Sequence, residues 1–198
     1  MKLYSAAGSC SLATQIALTE ADADFEAVKI DLKGDRKLPD GRDFAAINPK
    51  GYVPVLELDD GTLLTENIAI LPYVADLFPA AKLAPPYGAL ARTRLQEWLG
   101  FINSEVHKTY SHFFNPKLPD LMRDMLTERL HKRYAFLDEH FADHDFLLGD
   151  EYSVADIYLF VVTAWAPKLK IDLSPYPHLA AWQARIAERP AVRKLTEG

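Results

Sequence analysis

The chain has 198 residues, of which 49% are hydrophobic and 25% charged, so it is large enough to bury a core without disulfides or metals. Its 22 basic and 28 acidic residues give a net charge of -6, which argues against a general nucleic-acid-binding protein. A single cysteine rules out an internal disulfide, and the absence of a long apolar run argues against a signal peptide or membrane span, so a cytoplasmic protein is expected.

The first half of the chain alternates strand-like and helical patterns. Its hairpin signal, Asp60-Gly61 between two apolar runs, is strong. The order β-α-β-loop-β-β-α and the right-handed crossover rule together favour a thioredoxin-like sheet over residues 1–80. The predicted elements are a strand at 2–5, a helix at 11–20, a strand within 25–32, a polar loop at 31–43, two strands within 52–66 and a helix at 67–78.

The second half is predicted to be an all-α bundle over residues 88–198, after a linker at 81–87 that contains two adjacent prolines. Residues 153–169 (SVADIYLFVVTAWAPKL) are so apolar that they should form its central buried helix. Ser153 and Asp156 fit a capping box at the start of that helix, and Asp156 is therefore assigned a structural role. The expected fold is thus an α+β domain followed by a helical domain.

Cys10, the only thiol, stands where the first helix begins. Unpaired backbone N–H groups and the positive end of the helix dipole would favour its thiolate there. Residue 13 is alanine, so there is no C-x-x-C pair. A lone thiol at this position could hydrogen-bond to a substrate thiol or form a mixed disulfide with it. The alternative is a small apolar residue that fills the core.

Val53-Pro54 opens a predicted strand, which suits a sheet edge or a cis peptide better than a central ladder. A cis bond would turn the backbone N–H and C=O of Val53 outward, where an extended peptide could pair with them. From local sequence alone, trans is the commoner state.

Thr65, Glu66 and Asn67 stand between the hairpin and the next helix. One interpretation is a helix cap, with Thr65 as the cap residue and Glu66 complementing the dipole. The other is ligand binding, in which helix N–H groups hold a carboxylate and Glu66 pairs with an adjacent ammonium. A ligand with an α-amino-acid end would satisfy both groups.

These three sites together describe a peptide-like ligand with a zwitterionic end, an extended middle and a thiol. On the motifs GSCSL, NPKGYVPVL, LTENIAI, SEVHK and FLLGDEYSVADIYLF, the chain resembles the cytosolic glutathione S-transferases over essentially its whole length. The closest resemblance is to the bacterial beta class. It implies glutathione as co-substrate, no metal, a homodimer, and no membrane or nucleic-acid partner.

The resemblance also implies roles for individual residues. Cys10 is similar to the catalytic cysteine of the class, with Ser11 beside it as a second donor. The backbone of Val53, ahead of the family's cis-proline Pro54, would pair with the cysteinyl unit of glutathione. For the γ-glutamyl end the resemblance gives Glu66 and Asn67, although the family commonly has serine at the second position; for the glycyl carboxylate it leaves Arg36 and Lys37 open.

In the helical half, the resemblance makes Ser104 and His107 ligand-facing residues, and His107 would help to stabilise a thiolate. A family contact that is often asparagine is replaced by Gly100. Trp165 would form a wall of the hydrophobic substrate site, with Tyr110, His112 and Phe113 as weaker candidates. Without the resemblance, His107 would be assigned to structure and Trp165 to the core.

The function implied is conjugation of the glutathione thiolate to a hydrophobic electrophile, with thiol–disulfide exchange through Cys10. The sequence leaves two alternatives open. One is an enzyme that mainly reduces glutathione mixed disulfides; the other is a non-catalytic relative that uses the fold for binding. The presence of Cys10, Pro54 and Glu66 together argues against the second.

Overall fold

The computed structural model describes residues 1–197 and divides them into two compact units, residues 1–83 and the described residues from Ala84 onward. The predicted linker at 81–87 is thus shared between the two units. The elements of the N-terminal unit are β1 (Lys2–Ser5), α1 (Ser11–Glu20), β2 (Glu26–Lys29), β3 (Val55–Glu57), β4 (Leu63–Thr65) and α2 (Asn67–Leu77), with short 3-10 turns at Phe44–Ala46 and Pro79–Ala81.

The sheet of the N-terminal unit has the strand order β2-β1-β3-β4. β1 is parallel to β2, and α1 forms the crossover that connects them. β1 is antiparallel to β3, and β3 and β4 form the predicted hairpin. The mixed sheet and its two helices confirm the thioredoxin-like prediction. Tyr4 points into the core, as its strand position suggests, and its hydroxyl donates to Glu57 Oε2 at 2.6 Å.

The carboxyl end of β1 leads directly into the start of α1, and Val53-Pro54 leads into β3, which pairs with β1. The segment that leads into β3 is held by a core cluster of buried side chains. Val53, which is 3% exposed, is a member of this cluster. This cluster contains Tyr4, Val28, Ile30, Leu38, Phe44, Val53 and Val55.

The C-terminal unit is helical in every regular element of its described residues, as predicted. α6 is buried along its whole length. Its capping box is confirmed: Ser153 Oγ accepts from the N–H of Ala155, and Asp156 Oδ2 accepts from the N–H of Ser153 at 3.0 Å. The elements are α3 (Leu90–Phe101), a π-helix (Ile102–His107), α4 (Lys108–Phe113), α5 (Asp120–Asp143), α6 (Val154–Thr163), α7 (Ala166–Leu169), α8 (Pro177–Ala187) and α9 (Pro190–Thr196).

No helix within residues 1–197 is long and apolar enough to cross a membrane. The same residues contain no group of three or more His, Cys, Asp or Glu side chains placed to hold a metal ion.

Candidate active site

Cys10 and Val53 meet at the carboxyl edge of the sheet. Cys10 is the residue just before α1, and its thiol donates to the carbonyl oxygen of Val53 across 3.5 Å. The Val53–Pro54 peptide is cis. Among residues 1–197, the N–H of Val53 has no hydrogen-bond acceptor, so both a donor and a shared acceptor are available beside the thiol.

The prediction that the helix start makes Cys10 a ready thiolate is wrong for this structure. Burial, the largest cause, raises the pKa of Cys10 to about 12, and the carboxylate of Glu66 raises it further. A backbone hydrogen bond favours the charged form but is outweighed. Although the residue keeps partial exposure, its sulfur atom is largely shielded and donates a proton rather than accepting one.

Ser11 is not a second donor to a ligand. It is fully buried, and its hydroxyl oxygen accepts from the N–H of Ala6 at 3.1 Å and lies 2.6 Å from the hydroxyl of Ser9. These bonds hold the turn between β1 and α1. Ser11 therefore supports the segment that carries Cys10.

Asn67 also differs from its prediction. Its side chain is 4% exposed; its amide nitrogen donates to the carbonyl of Cys10 at 3.0 Å, and its amide oxygen accepts from Thr14 at 2.9 Å. The side chain thus joins the starts of α1 and α2 rather than facing a ligand. The backbone N–H groups of Asn67 and Ile68 have no acceptor among the described residues, so the start of α2 can still receive a carboxylate.

Glu66 has a backbone φ of +74°, which is strained for a residue with a side chain and is typical of functional sites. The interpretation of Thr65 as a helix cap is wrong, because Thr65 ends β4 and Glu66 occupies the cap position without capping through its side chain. Instead, Glu66 Oε1 accepts from Lys50 Nζ at 3.0 Å and from the Tyr52 hydroxyl at 2.6 Å. These two residues were not identified from the sequence.

Lys50 also donates to the hydroxyl of Thr65 at 2.9 Å, so its ammonium bridges both residues at the end of the hairpin. The hydrogen bond to Glu66 is the main cause that raises the pKa of Lys50 and of Tyr52. In the free protein, the Glu66 carboxylate therefore pairs with the ammonium of Lys50. The sequence predicted that it would pair with the ammonium of a ligand.

Arg36 and Lys37 are the two loop residues predicted to bind the glycyl carboxylate, and the structure places Arg36 next to Gly51. A Cβ added to Gly51 would be 3.4 Å from a terminal guanidinium nitrogen of Arg36, so this side chain extends over the residues that precede Val53. Arg36 itself has a φ of +55°, and its Nε donates to the carbonyl of Leu32. Lys37 is exposed and forms a backbone bridge with Asp43.

The C-terminal unit groups its own predicted residues around one aromatic cluster. The ring of Trp165 contacts the rings of His107, Tyr110 and Phe114 at centroid distances of 5.2, 5.9 and 5.3 Å. Ser104, in the same π-helix as His107, is exposed and donates back to the carbonyl of Gly100 at 2.9 Å.

The exposed wall of this cluster is not the predicted one. Tyr110 is fully buried and its hydroxyl bonds to that of Tyr134, and Phe113 is only 5% exposed, so neither presents an open face. Phe114 is 53% exposed and stands edge-on to Trp165, which is itself 7% exposed. The sequence offered no signal to choose between adjacent phenylalanines at the end of a short helix.

Comparison with known proteins gives consistent relatives. Residues 1–76 match the family model described as "Glutathione S-transferase, N-terminal domain", and residues 101–190 match "Glutathione S-transferase, C-terminal domain". The chain is 41% identical over 193 residues to glutathione S-transferase GstA of Escherichia coli O157:H7, covering 98% of this chain and 96% of that protein.

Two solved structures extend the comparison. A sphingomonad glutathione S-transferase complexed with glutathione has a TM-score of 0.94 and 47% identity, over 98% of this chain and 96% of that one. A bacterial beta class glutathione S-transferase from Sphingomonas chungbukensis has a TM-score of 0.93 and 46% identity, with the same coverage. Over 98% of its length, the chain is therefore similar in sequence and fold to these glutathione S-transferases.

Proposed function

The chain belongs to the glutathione S-transferase family and is a glutathione transferase, and from that premise we propose which of its residues bind glutathione and activate its thiol. The observation that carries the proposal is the contact between Cys10 Sγ and the carbonyl oxygen of Val53. If the cysteinyl unit of glutathione pairs with the backbone of Val53, its thiol lies next to that of Cys10. The carbonyl oxygen of Val53 has two lone pairs, so it can accept from the Cys10 thiol and from glutathione at the same time.

In this proposal, glutathione lies along the N-terminal unit in three parts. The N–H and C=O of Val53 pair with its cysteinyl unit as a further strand would. The first N–H groups of α2 hold the γ-glutamyl carboxylate, and Glu66 holds the neighbouring ammonium, displacing Lys50, which keeps its bond to Thr65. Arg36 pairs with the glycyl carboxylate.

The C-terminal unit contributes the proton acceptor and the surface for the electrophile. His107 takes the proton of the glutathione thiol: the S–H bond breaks, an N–H bond forms, and an imidazolium and a thiolate result. The thiolate then attacks an electrophilic carbon and the leaving group departs with its electron pair. Phe114, which is 53% exposed and packs edge-on against the buried Trp165, presents an apolar aromatic surface suited to a hydrophobic electrophile.

Cys10 is assigned to donate a hydrogen bond to the glutathione thiolate. Its thiol is protonated in the free protein because burial raises its pKa to about 12, and a protonated thiol can stabilise a neighbouring thiolate. Thiol–disulfide exchange through Cys10 remains a prediction of the sequence. The shielded sulfur favours conjugation over exchange as the main activity.

A homodimer is also proposed. Trp98, Phe101 and Phe136 form a cluster on α3 and α5 with ring centroids 5.5 to 5.9 Å apart, and Phe136 is 50% exposed. Exposed aromatic clusters are typical of protein interfaces. We name this group the α3–α5 aromatic cluster.

The binding role is tested by Glu66→Gln, titrated with glutathione in a calorimeter. Loss of a charge-assisted contact of about 1.5–3 kcal/mol should weaken glutathione binding about 10- to 100-fold. Glu57→Gln is the matched control, since Glu57 also accepts from a tyrosine hydroxyl in the same unit. Unchanged affinity in Glu66→Gln, with a loss of stability, would return Glu66 to a structural role.

A further inference from the structure

The helical run from α3 to α4 is interrupted by the π-helix at Ile102–His107. π-Helical turns are rare and concentrate at functional sites. In this segment, the side chains of Asn103 and His107 both reach one atom, the hydroxyl oxygen of Tyr158. Tyr158 belongs to the buried helix α6 and is 1% exposed.

The hydrogen bonds of Tyr158 indicate where the protons of this group lie. A tyrosine hydroxyl has one proton to donate and lone pairs to accept with. Tyr158 donates that proton to Asn103 Oδ1 at 3.0 Å. Its oxygen is also 2.5 Å from His107 Nδ1. With the hydroxyl proton directed to Asn103 Oδ1, the contact with His107 uses the N–H of the ring, which corresponds to the Nδ1–H tautomer.

We infer that Tyr158 and Asn103 are positioning residues that hold His107 as its Nδ1–H tautomer and thereby make Nε2 the atom that exchanges a proton during the reaction. The inference rests on the proposed role of His107 and deepens it. A histidine ring that donates from one nitrogen presents a lone pair at the other, so Nε2 receives the thiol proton while Nδ1 keeps its own. The same arrangement orients ligating histidines in metal sites.

The ring of His107 is also held from its sides. It stands edge-on to Tyr158 at a centroid distance of 5.6 Å and against Trp165 at 5.2 Å. The two aromatic contacts limit rotation of the imidazole, and the bond to Tyr158 fixes which nitrogen faces α6. Orientation and tautomer are thus set by residues that need not touch glutathione.

The direct test is the imidazole tautomer of His107 in the free protein, measured by long-range ¹H–¹⁵N correlation and assigned with His107→Gln. The wild-type protein should show the Nδ1–H form. Asn103→Leu removes the acceptor but keeps the hydroxyl, so Tyr158 should turn its proton to Nδ1 and the ring should become the Nε2–H form. Asn103→Asp keeps an acceptor and should retain the Nδ1–H form.

Tyr158→Phe removes the hydroxyl alone and should release the ring from the Nδ1–H form, with kcat for conjugation about tenfold lower, as for other residues that orient a catalytic group. Tyr134→Phe is the matched control: it also removes a buried tyrosine hydroxyl, one that bonds to Tyr110, and should leave the His107 tautomer unchanged.

An Nε2–H ring in the wild-type protein, or the same tautomer in wild type, Asn103→Leu and Tyr158→Phe, would overturn the inference whatever the activity. Full conjugation activity in His107→Gln would instead remove the proposed role of His107 and with it the proton exchange at Nε2. Because the tautomer is measured without glutathione, the two failures are distinguishable.

Discussion

At the scale of single residues, side chains near Cys10 carry out tasks that their types alone do not reveal. Asn67 and Ser11 both have groups able to bind a ligand, yet both use them in hydrogen bonds to the backbone near Cys10. Each is nearly or fully buried, and a buried polar group that lost its partner would destabilise the fold by about 1–3 kcal/mol. Their primary role is therefore to fix the loop that presents the thiol.

The position of Arg36 leads to a prediction about glutathione affinity. Arg36→Gln should weaken glutathione binding about tenfold, because a charge-assisted bond to a carboxylate contributes about 1.5 kcal/mol or more. Lys37 is the neighbouring cation and is also exposed, and Lys37→Gln should change the affinity little. Calorimetric titration of both variants decides between them. A larger loss in Lys37→Gln would transfer the role to that residue.

Burial of the Cys10 sulfur leads to a prediction about pH. With a pKa of about 12, the thiol in the free protein is almost entirely protonated at neutral pH. Its alkylation rate by iodoacetamide should therefore rise about tenfold per pH unit from pH 7 to pH 10 without reaching a plateau. Intact mass measured over time gives the rate, since the chain has no other cysteine.

A plateau below pH 8 would contradict this prediction and restore the low-pKa thiolate expected from the helix start. It would also favour the mixed-disulfide chemistry of the alternative function. Cys10→Ala is the control, and it should not be alkylated at any pH in this range.

At the scale of elements, the sequence predicted most of the secondary structure. Local signals were sufficient for α1, for the hairpin at Asp60-Gly61 and for the capping box of α6, because each depends on residues close in sequence. The π-helix was not predicted, since its residues read as ordinary helix. The bond from His107 to Tyr158 joins positions 51 residues apart, and only the packing of α6 brings them together.

The same division applies to the site. Cys10, Val53 and Glu66 could be found from motifs, but the pKa of Cys10 depends on how many atoms surround the sulfur, which a sequence does not state. Lys50 and Tyr52 were missed because they contact Glu66 across the sheet edge rather than along the chain. Long-range desolvation and pairing, rather than local propensity, account for what was missed.

The capping box of α6 supports a prediction about stability. Asp156 accepts from the N–H of Leu147, from Ser153 and from the indole of Trp182, yet burial raises its pKa to about 6. The folded state thus binds this proton more tightly than the unfolded state, whose pKa is near 3.8. The contribution of this group to stability is fully present below about pH 4 and is lost as the pH rises through 6.

Asp156→Asn removes the titration and serves as the reference. The difference in unfolding free energy between wild type and Asp156→Asn should shrink by about 2–3 kcal/mol between pH 4 and pH 7, at about 1.4 kcal/mol per pKa unit. Urea unfolding at each pH measures it. A difference that stays constant across this range would show that Asp156 does not titrate there.

At the scale of the whole molecule, each of the two units has its own core. The sheet of the N-terminal unit rests on the cluster that contains Val53, and the C-terminal unit is built around the fully buried α6. This division agrees with the two family models, one of which matches residues 1–76 and the other residues 101–190. Under the proposed function, the choice of electrophile depends on the exposed ring of Phe114, which packs against Trp165.

The α3–α5 aromatic cluster gives the prediction for assembly. In a two-fold symmetric dimer the same patch is used by both subunits, so one substitution acts twice in the interface. Phe136→Glu would bury two like charges there and should weaken the dimer about 1000-fold, at about 2 kcal/mol for each unpaired charge. Sedimentation velocity should find wild type at twice the chain mass and the variant at the mass of one chain.

Met125→Glu is the control for this prediction. It places the same charge on the same helix at a residue that is 63% exposed, and it should remain a dimer. A dimeric Phe136→Glu protein would place the interface elsewhere, and a monomeric wild type would remove the proposed homodimer.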